Sequence, residues 1–142
     1  MNTLYKVVDD IKQILEAEPM VKTVTYGDID DIDLSKPIYP LAHTMIGDAT
    51  IQERTIVIDM VLILMDVVTV IDAKPNELDV LNTQLNIAAR FDAILKRNIL
   101  YKNGYELQGD IQCEPFNERF EQNVSGFTCS FQIALKNEMT SC

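Results

Sequence analysis

Four aspartates within six residues are the sharpest chemical feature of the sequence. They are Asp28, Asp30, Asp31 and Asp33. Carboxylates at this spacing could share a divalent cation. The segment lacks the glycine and the distal glutamate of a calcium loop, and no glycine-rich phosphate loop or catalytic base follows it. We therefore favour a solvated acidic loop or a subunit-contact arm, and keep a metal-dependent enzyme or metal-binding module as the alternative.

The remaining reactive side chains form no catalytic or ligand set. His43 is the only histidine, and the chain has no G-x-S-x-G motif or equivalent to place a nucleophile beside it, so we interpret His43 as structural. Cys113, Cys129 and Cys142 form no C-x-x-C pair and have no histidine nearby, which predicts free thiols. We expect no catalytic residue, no metal and no cofactor.

Composition and charge exclude several classes of protein. The chain has 142 residues and a formal charge of −10, from 22 acidic and 12 basic residues, and such a surface repels nucleic-acid phosphates. The charge therefore argues against a sequence-reading nucleic-acid binder. The longest apolar run, residues 56–65, is interrupted by Asp59 and is about half the length of a membrane helix. The N-terminus does not resemble a secretory signal, so we expect a cytosolic chain with no membrane segment.

The first half of the chain predicts a helix, a strand, an arm and a hairpin. A helix is expected over residues 3–17 from an apolar stripe at helical spacing, and a short strand over 21–26. Residues 28–40 are rich in aspartate and proline, which indicates an extended loop or arm. The hairpin would start at residue 39 or 41, turn over Gly47-Asp48-Ala49 and return as strand 55–68. The unbroken apolar run 61–65 indicates that both faces of that strand are covered, one by the helices and one by another layer or another subunit.

The second half predicts a long helix and two strands. Asn76 would cap a helix over residues 77–97. Its apolar residues fall on one broad face, made of Leu78, Leu81, Leu85, Ala88 and Leu95, widened by Val80, Ile87, Phe91 and Ile94. Strict alternation predicts half-buried strands over 105–114 and 127–136. We infer one domain over residues 1–142, of the α+β class: an antiparallel sheet or sandwich packed by two helices.

The linker between the last two strands, residues 115–126, is too long for a tight turn. It carries Phe116, Arg119 and Phe120, and the two phenylalanines stand at helical spacing. Packing onto the parent sheet and docking into a neighbouring subunit are both open for this pair.

Short motifs within residues 82–140 resemble structural proteins from the neck and tail of tailed bacteriophages, in particular crAss-like phages of Bacteroidetes hosts, and the resemblance covers nearly the whole chain. The motifs are NTQL at 82–85, CEPF at 113–116, ERFE at 118–121, GF at 126–127 and NEMT at 137–140. The order of elements is also similar to the tail-terminator and tail-completion fold. These motifs are structural and carry no catalytic residue.

The resemblance implies a non-enzymatic subunit of a head-to-tail connector or tail-terminator ring of six or twelve copies. Such a subunit would be assembled in the host cytoplasm and belong to the virion neck or tail. Its partners would be further copies of itself, portal-side neck proteins and tail proteins, while DNA passes through without sequence-specific binding. A tail assembly chaperone is the alternative within this class. The residues that we expect at subunit interfaces are Asp28, Asp30, Asp31, Asp33, Ile38, Tyr39, Phe116, Arg119 and Phe120.

Overall fold

The period of the apolar residues sets the sequence of helices and strands. The computed structural model describes residues 3–27, 39–68, 70–71, 74–119 and 124–137, with the backbone alone for 70–71, 74–75 and 117–119. In chain order the elements are α1 (Thr3–Ala17), β1 (Thr23–Tyr26), β2 (Leu41–Ile51), β3 (Thr55–Val67), β4 (Val70–Ile71), β5 (Lys74–Pro75), α2 (Glu77–Leu95), α3 (Leu100–Asn103), β6 (Tyr105–Arg119) and β7 (Val124–Lys136).

Five of the strands form one mixed sheet in the order β1-β2-β3-β7-β6, and β4 pairs with β5 separately. Strand β1 runs parallel to β2, whereas the β2/β3, β3/β7 and β7/β6 pairs are antiparallel. The edges of the sheet are therefore β1 and β6. The predicted α+β fold, a mostly antiparallel sheet packed by helices, is confirmed.

Helices α1 and α2 cover one face of the sheet and form the main core with it. The rings of Phe91 on α2 and Phe131 on β7 meet edge to face with their centroids 5.7 Å apart. Each fully buried large apolar side chain contributes roughly 1.5–3 kcal/mol through its removal from water. Other members of this core are Val7, Ile11 and Leu15 of α1, Ile87 and Leu95 of α2, Met60, Leu62 and Leu64 of β3, and Ile133 and Leu135 of β7.

The opposite face of the sheet carries a second, smaller apolar cluster. Its buried members are Leu41, Ile63, Met65, Phe116 and Val124. Successive residues of β3 thus alternate between the two clusters, as a strand requires. Side chains on both faces of this strand are buried: the helices lie over one face, and Ile63 and Met65 on the other face are buried in the second cluster. Coverage of that second face by another layer or another subunit stays a prediction.

The predicted turn over Gly47-Asp48-Ala49 is wrong. Strand β2 continues to Ile51, and the chain reverses over residues 52–54. Gly47 and Asp48 form a β-bulge, where the pairing shifts from Ile46 opposite Met60 to Ala49 opposite Ile58. A glycine inside a strand indicates a bulge as readily as a turn. Its sequence signal is therefore ambiguous.

The predicted linker over residues 115–126 is also wrong at both of its ends. Strand β6 runs through Pro115 to Arg119, and β7 starts at Val124. Proline is tolerated here because β6 is an edge strand, where a residue without an N–H need not break a ladder. The helical conformation that the spacing of Phe116 and Phe120 suggested is therefore wrong for Phe116, which lies in a strand.

Helix α2 buries only part of the broad face that was predicted for it. The buried side chains are those of Val80, Gln84, Ile87, Ala88, Phe91 and Leu95. Leu78 and Leu85, predicted for the buried face, are exposed. The side chain of Asn76 makes no capping hydrogen bond to the helix. Among the described helices, none combines the length and apolarity needed to cross a membrane.

Candidate interaction surfaces

The structure places only part of the predicted interface set. Asp28, Asp30, Asp31, Asp33, Ile38 and Phe120 lie outside the described residues, and Arg119 is described only as the last backbone position of β6. The proposed acidic arm and its metal-binding alternative are therefore not tested. Within the described ranges, no three histidine, cysteine or acidic side chains lie close enough to hold a metal ion.

Tyr39 and Phe116 both pack on the face of the sheet opposite the helices. Phe116 is buried in the second apolar cluster, and Tyr39 lies partly buried against it. The Tyr39 hydroxyl is buried and makes no hydrogen bond within the described residues. Burial, reinforced by the nearby Asp66 carboxylate, raises the pKa of Tyr39, and burial also raises the pKa of Asp66 itself. Phe116 thus packs on its own sheet, the first of the two alternatives left open for it.

The side chain of His43, on β2, forms hydrogen bonds that connect the edge strand β1 to β2. Its ring is fully buried, with Nε2 3.0 Å from the Gly27 carbonyl oxygen and Nδ1 2.7 Å from the Thr25 hydroxyl. A carbonyl oxygen can only accept, so Nε2 carries the proton and donates it. Nδ1 therefore accepts a hydrogen bond from Thr25. These contacts confirm the structural interpretation of His43 and hold β1 in place.

A groove runs along the β1 edge, between α1 and β1. It consists of two adjoining depressions of about 300 and 400 Å³. The side chains that line them are mainly apolar: Leu4, Tyr5 and Val8 from α1, Val24 and Tyr26 from β1, and Ile46 from β2, together with the polar Asp9, Lys12, Thr25 and Thr44. Tyr5 is 80% exposed. We call this surface the β1-edge groove.

A second groove lies at the opposite edge, between α2 and β6, with a volume of about 220 Å³. Its apolar part comprises Leu85, Ala88 and Ala89 of α2 and Ile111 and Cys113 of β6. At its rim Lys96 contacts Asp92 at 3.1 Å and Asp110 at 3.8 Å. Two turns beyond Leu85 towards the helix start, Leu78 is 78% exposed. We call this surface the β6-edge groove.

The face of the sheet near β6 carries a polar depression of about 480 Å³. Strand β6 shifts register between Gln108 and Gln112, and Gly109 adopts a φ of 74° there. The Gln132 amide donates a hydrogen bond of 2.8 Å to the Asp59 carboxylate. Asp59 is exposed, so its charge stays in contact with water and carries no cost of burial. The depression is lined by Asp59, Met60, Val61, Gln108, Gly109, Asp110, Gln112, Ser130, Phe131 and Gln132, which include no cation.

The exposed apolar residues of both grooves are not among the interface residues predicted from the sequence. Tyr5 falls outside the stripe of α1 whose buried members are Val7, Ile11 and Leu15. The sequence signal that could have identified Tyr5 is an aromatic residue that lies outside the buried apolar stripe of its helix. For α2 the signal was an apolar surface too wide for one buried face, because Leu78 and Leu85 could not be buried together with Ile87 and Phe91.

Comparison with known proteins finds no matching family model and no significantly similar curated protein. The two edge grooves and the charge of the chain are therefore the features that bear on its function.

Proposed function

We propose that this protein is a non-enzymatic structural subunit that assembles head to tail into a closed ring, in the neck or tail of a tailed bacteriophage. The observation that carries the proposal is the presence of exposed apolar grooves at opposite edges of one sheet. The phage assignment comes from the sequence resemblance described above.

Two different surfaces at opposite edges favour a head-to-tail contact. In such a contact, the β1-edge groove of one copy packs against the β6-edge surface of the next. The same contact then repeats, and it closes into a ring if the rotation between copies divides a full turn. Aromatic residues are enriched at the cores of protein interfaces, and Tyr5 and Tyr26 supply them at the β1 edge.

The charge of the chain suits a ring through which DNA passes. The formal charge is −10. The polar depression beside β6 presents Asp59 and Asp110, with no lysine or arginine among the residues that line it. A lumen lined by carboxylates and amides does not retain phosphates, so DNA can move through it.

Light scattering coupled to size exclusion, across a range of concentrations, tests the assembly. The expected result is a discrete mass of six or twelve chains of 16.1 kDa. Tyr5→Glu should abolish the assembly while the circular dichroism spectrum stays that of the wild type, because Tyr5 is exposed in the single chain. A strictly monomeric wild type at every concentration would contradict self-assembly.

Ile51→Glu is the matched control for Tyr5→Glu. Ile51 is 76% exposed and ends β2 at the hairpin turn, outside the residues that line either edge groove. This variant loses a similar exposed apolar surface and gains the same charge. It should assemble like the wild type, and loss of assembly in both variants would point to a general charge effect.

The contribution of the acidic arm can be measured separately. Strands β1 and β2 are parallel and pair over four positions, so the chain must return by roughly 13 Å between them. A Gly-Ser linker of about eight residues in place of residues 28–38 spans up to about 26 Å. If the arm makes subunit contacts, this variant should be a folded monomer. If this variant still forms rings, the arm makes no essential subunit contact and the contacts lie at the edge grooves.

A further inference from the structure

Two cysteines lie directly opposite each other on neighbouring strands. Cys113 of β6 and Cys129 of β7 are register partners, flanked by the pairs Gln112 with Ser130 and Glu114 with Thr128. Side chains of directly opposed residues project from the same face of an antiparallel pair. The Cα atoms of such a pair lie about 4.5–5.5 Å apart, within the range that a disulfide bridges.

The two thiols contact each other but differ in their access to solvent. Both are free and both pack against the main core. Cys129 is 1% exposed, and burial together with a hydrogen bond to Cys113 raises the pKa of its thiol. Cys113 is only half-buried and lines the β6-edge groove beside Lys96. A small oxidant can therefore reach Cys113 first.

We propose that Cys113 and Cys129 form a reversible cross-strand disulfide when the protein meets a two-electron oxidant of the hydroperoxide class, with Cys113 as the attacking thiol and Cys129 as the resolving thiol. The proposal concerns the unassembled chain, because the proposed function places the β6-edge groove, and Cys113 with it, between two copies. The bond would link the edge strand β6 covalently to β7 next to the β6-edge groove.

The chemistry balances with one hydrogen peroxide per disulfide. The Cys113 thiolate attacks one peroxide oxygen: an S–O bond forms, the O–O bond breaks, and the departing hydroxide takes up the thiol proton to become water. The Cys129 sulfur then attacks the Cys113 sulfur. An S–S bond forms, the S–O bond breaks, and the hydroxyl leaves with the Cys129 proton as a second water. The two sulfurs lose two electrons, which the peroxide accepts.

Intact-mass measurement in a background of Cys142→Ser with Tyr5→Glu tests the proposal. Cys142→Ser removes the third thiol of the chain, and Tyr5→Glu, which should prevent assembly, leaves the β6-edge groove open to the oxidant. Oxidation with a small excess of hydrogen peroxide should lower the mass by 2 Da. Trypsin should then release peptides 103–119 and 120–136 joined to each other without reductant, since cleavage follows Lys102, Arg119 and Lys136. Dithiothreitol should restore the original mass.

The melting temperature gives an independent readout. A bond that closes a loop of this size should raise the melting temperature by about 5 °C or more on oxidation. Cys113→Ser in the same background should show neither the mass loss nor the rise. The proposal is overturned if the two thiols persist under peroxide that oxidises free glutathione. It is also overturned if Cys113 instead gains 32 Da as the sulfinic acid, or if the disulfide joins two chains.

Discussion

Gly126 lies where β7 approaches the backbone of β3 too closely to leave room for a side chain. It is buried in β7 between Met65 of β3 and Phe116 of β6, its register partners on either side. A Cβ atom at this position would lie 1.7 Å from the Leu64 carbonyl oxygen, a contact that no rotamer can relieve. We expect Gly126→Ala to lower the free energy of unfolding by at least about 2 kcal/mol, because the backbone of two central strands must separate. Urea unfolding measures this loss.

Gly109→Ala is the matched control at the residue scale. Gly109 has a φ of 74°, but a Cβ there would meet nothing within 4 Å. The substitution should therefore cost only the strain of the left-handed backbone, about 1 kcal/mol. If Gly126→Ala were no more destabilising than Gly109→Ala, the close approach of β3 and β7 would not be rigid.

At the scale of elements, Tyr105 joins three parts of the fold. Its ring is buried at the start of β6, and its hydroxyl donates a 2.8 Å hydrogen bond to Asp10 of α1. The same hydroxyl accepts a 2.8 Å hydrogen bond from Asn98, which follows α2. Tyr105→Phe removes both hydrogen bonds and should lower the free energy of unfolding by about 1–3 kcal/mol at neutral pH.

The pH dependence of this loss identifies its cause. Burial, together with the hydrogen bond to Asp10, raises the pKa of Tyr105 above the value of 10 expected in the unfolded chain. The tyrosine therefore contributes its full stabilisation below pH 10, and the unfolded state gains by ionising as the pH rises further. The difference in unfolding free energy between wild type and Tyr105→Phe should shrink above pH 10, by up to about 1.4 kcal/mol per pH unit.

Tyr101→Phe provides the control for that series. Tyr101 is 74% exposed, so its substitution removes a phenol without removing a buried hydrogen bond. Its unfolding free energy should follow that of the wild type across the same pH range. If the unfolding free energy of Tyr105→Phe also ran parallel to that of the wild type above pH 10, the fold would not hold the wild-type Tyr105 hydroxyl in its protonated form.

The elements also show what a local pattern can and cannot predict. The helix over residues 3–17 and the cores of the last two strands follow from periodicity, because every repeat of the pattern supports the same structure. The bulge at Gly47 and the extension of β6 through Pro115 depend on which strands are their neighbours. The ion pair of Arg90 with Glu18 joins residues 72 positions apart, so no local pattern predicts it.

At the scale of the whole molecule, the interaction surfaces also depend on which elements are neighbours, and a local sequence pattern does not predict this. The sequence predicts subunit contacts at the acidic arm and in the Phe116 segment, where its composition is unusual. The structure adds the two edge grooves, whose exposed residues look like core residues in the sequence. Leu85 illustrates the reason: burial depends on how α2 is rotated against β7 and β3, which its own apolar pattern leaves open.

A mixing experiment tests whether the two grooves contact each other head to tail. Tyr5→Glu damages only the β1-edge groove, and Leu85→Glu damages only the β6-edge groove. Each variant alone should be a monomer, because every head-to-tail contact needs one copy of both surfaces. An equimolar mixture still offers one intact pair of surfaces. The added charges repel each other at the second pair, so the mixture should form a heterodimer of two 16.1 kDa chains and stop there. A contact between like edges would behave differently: one variant alone would still dimerise, and mixing would add no species.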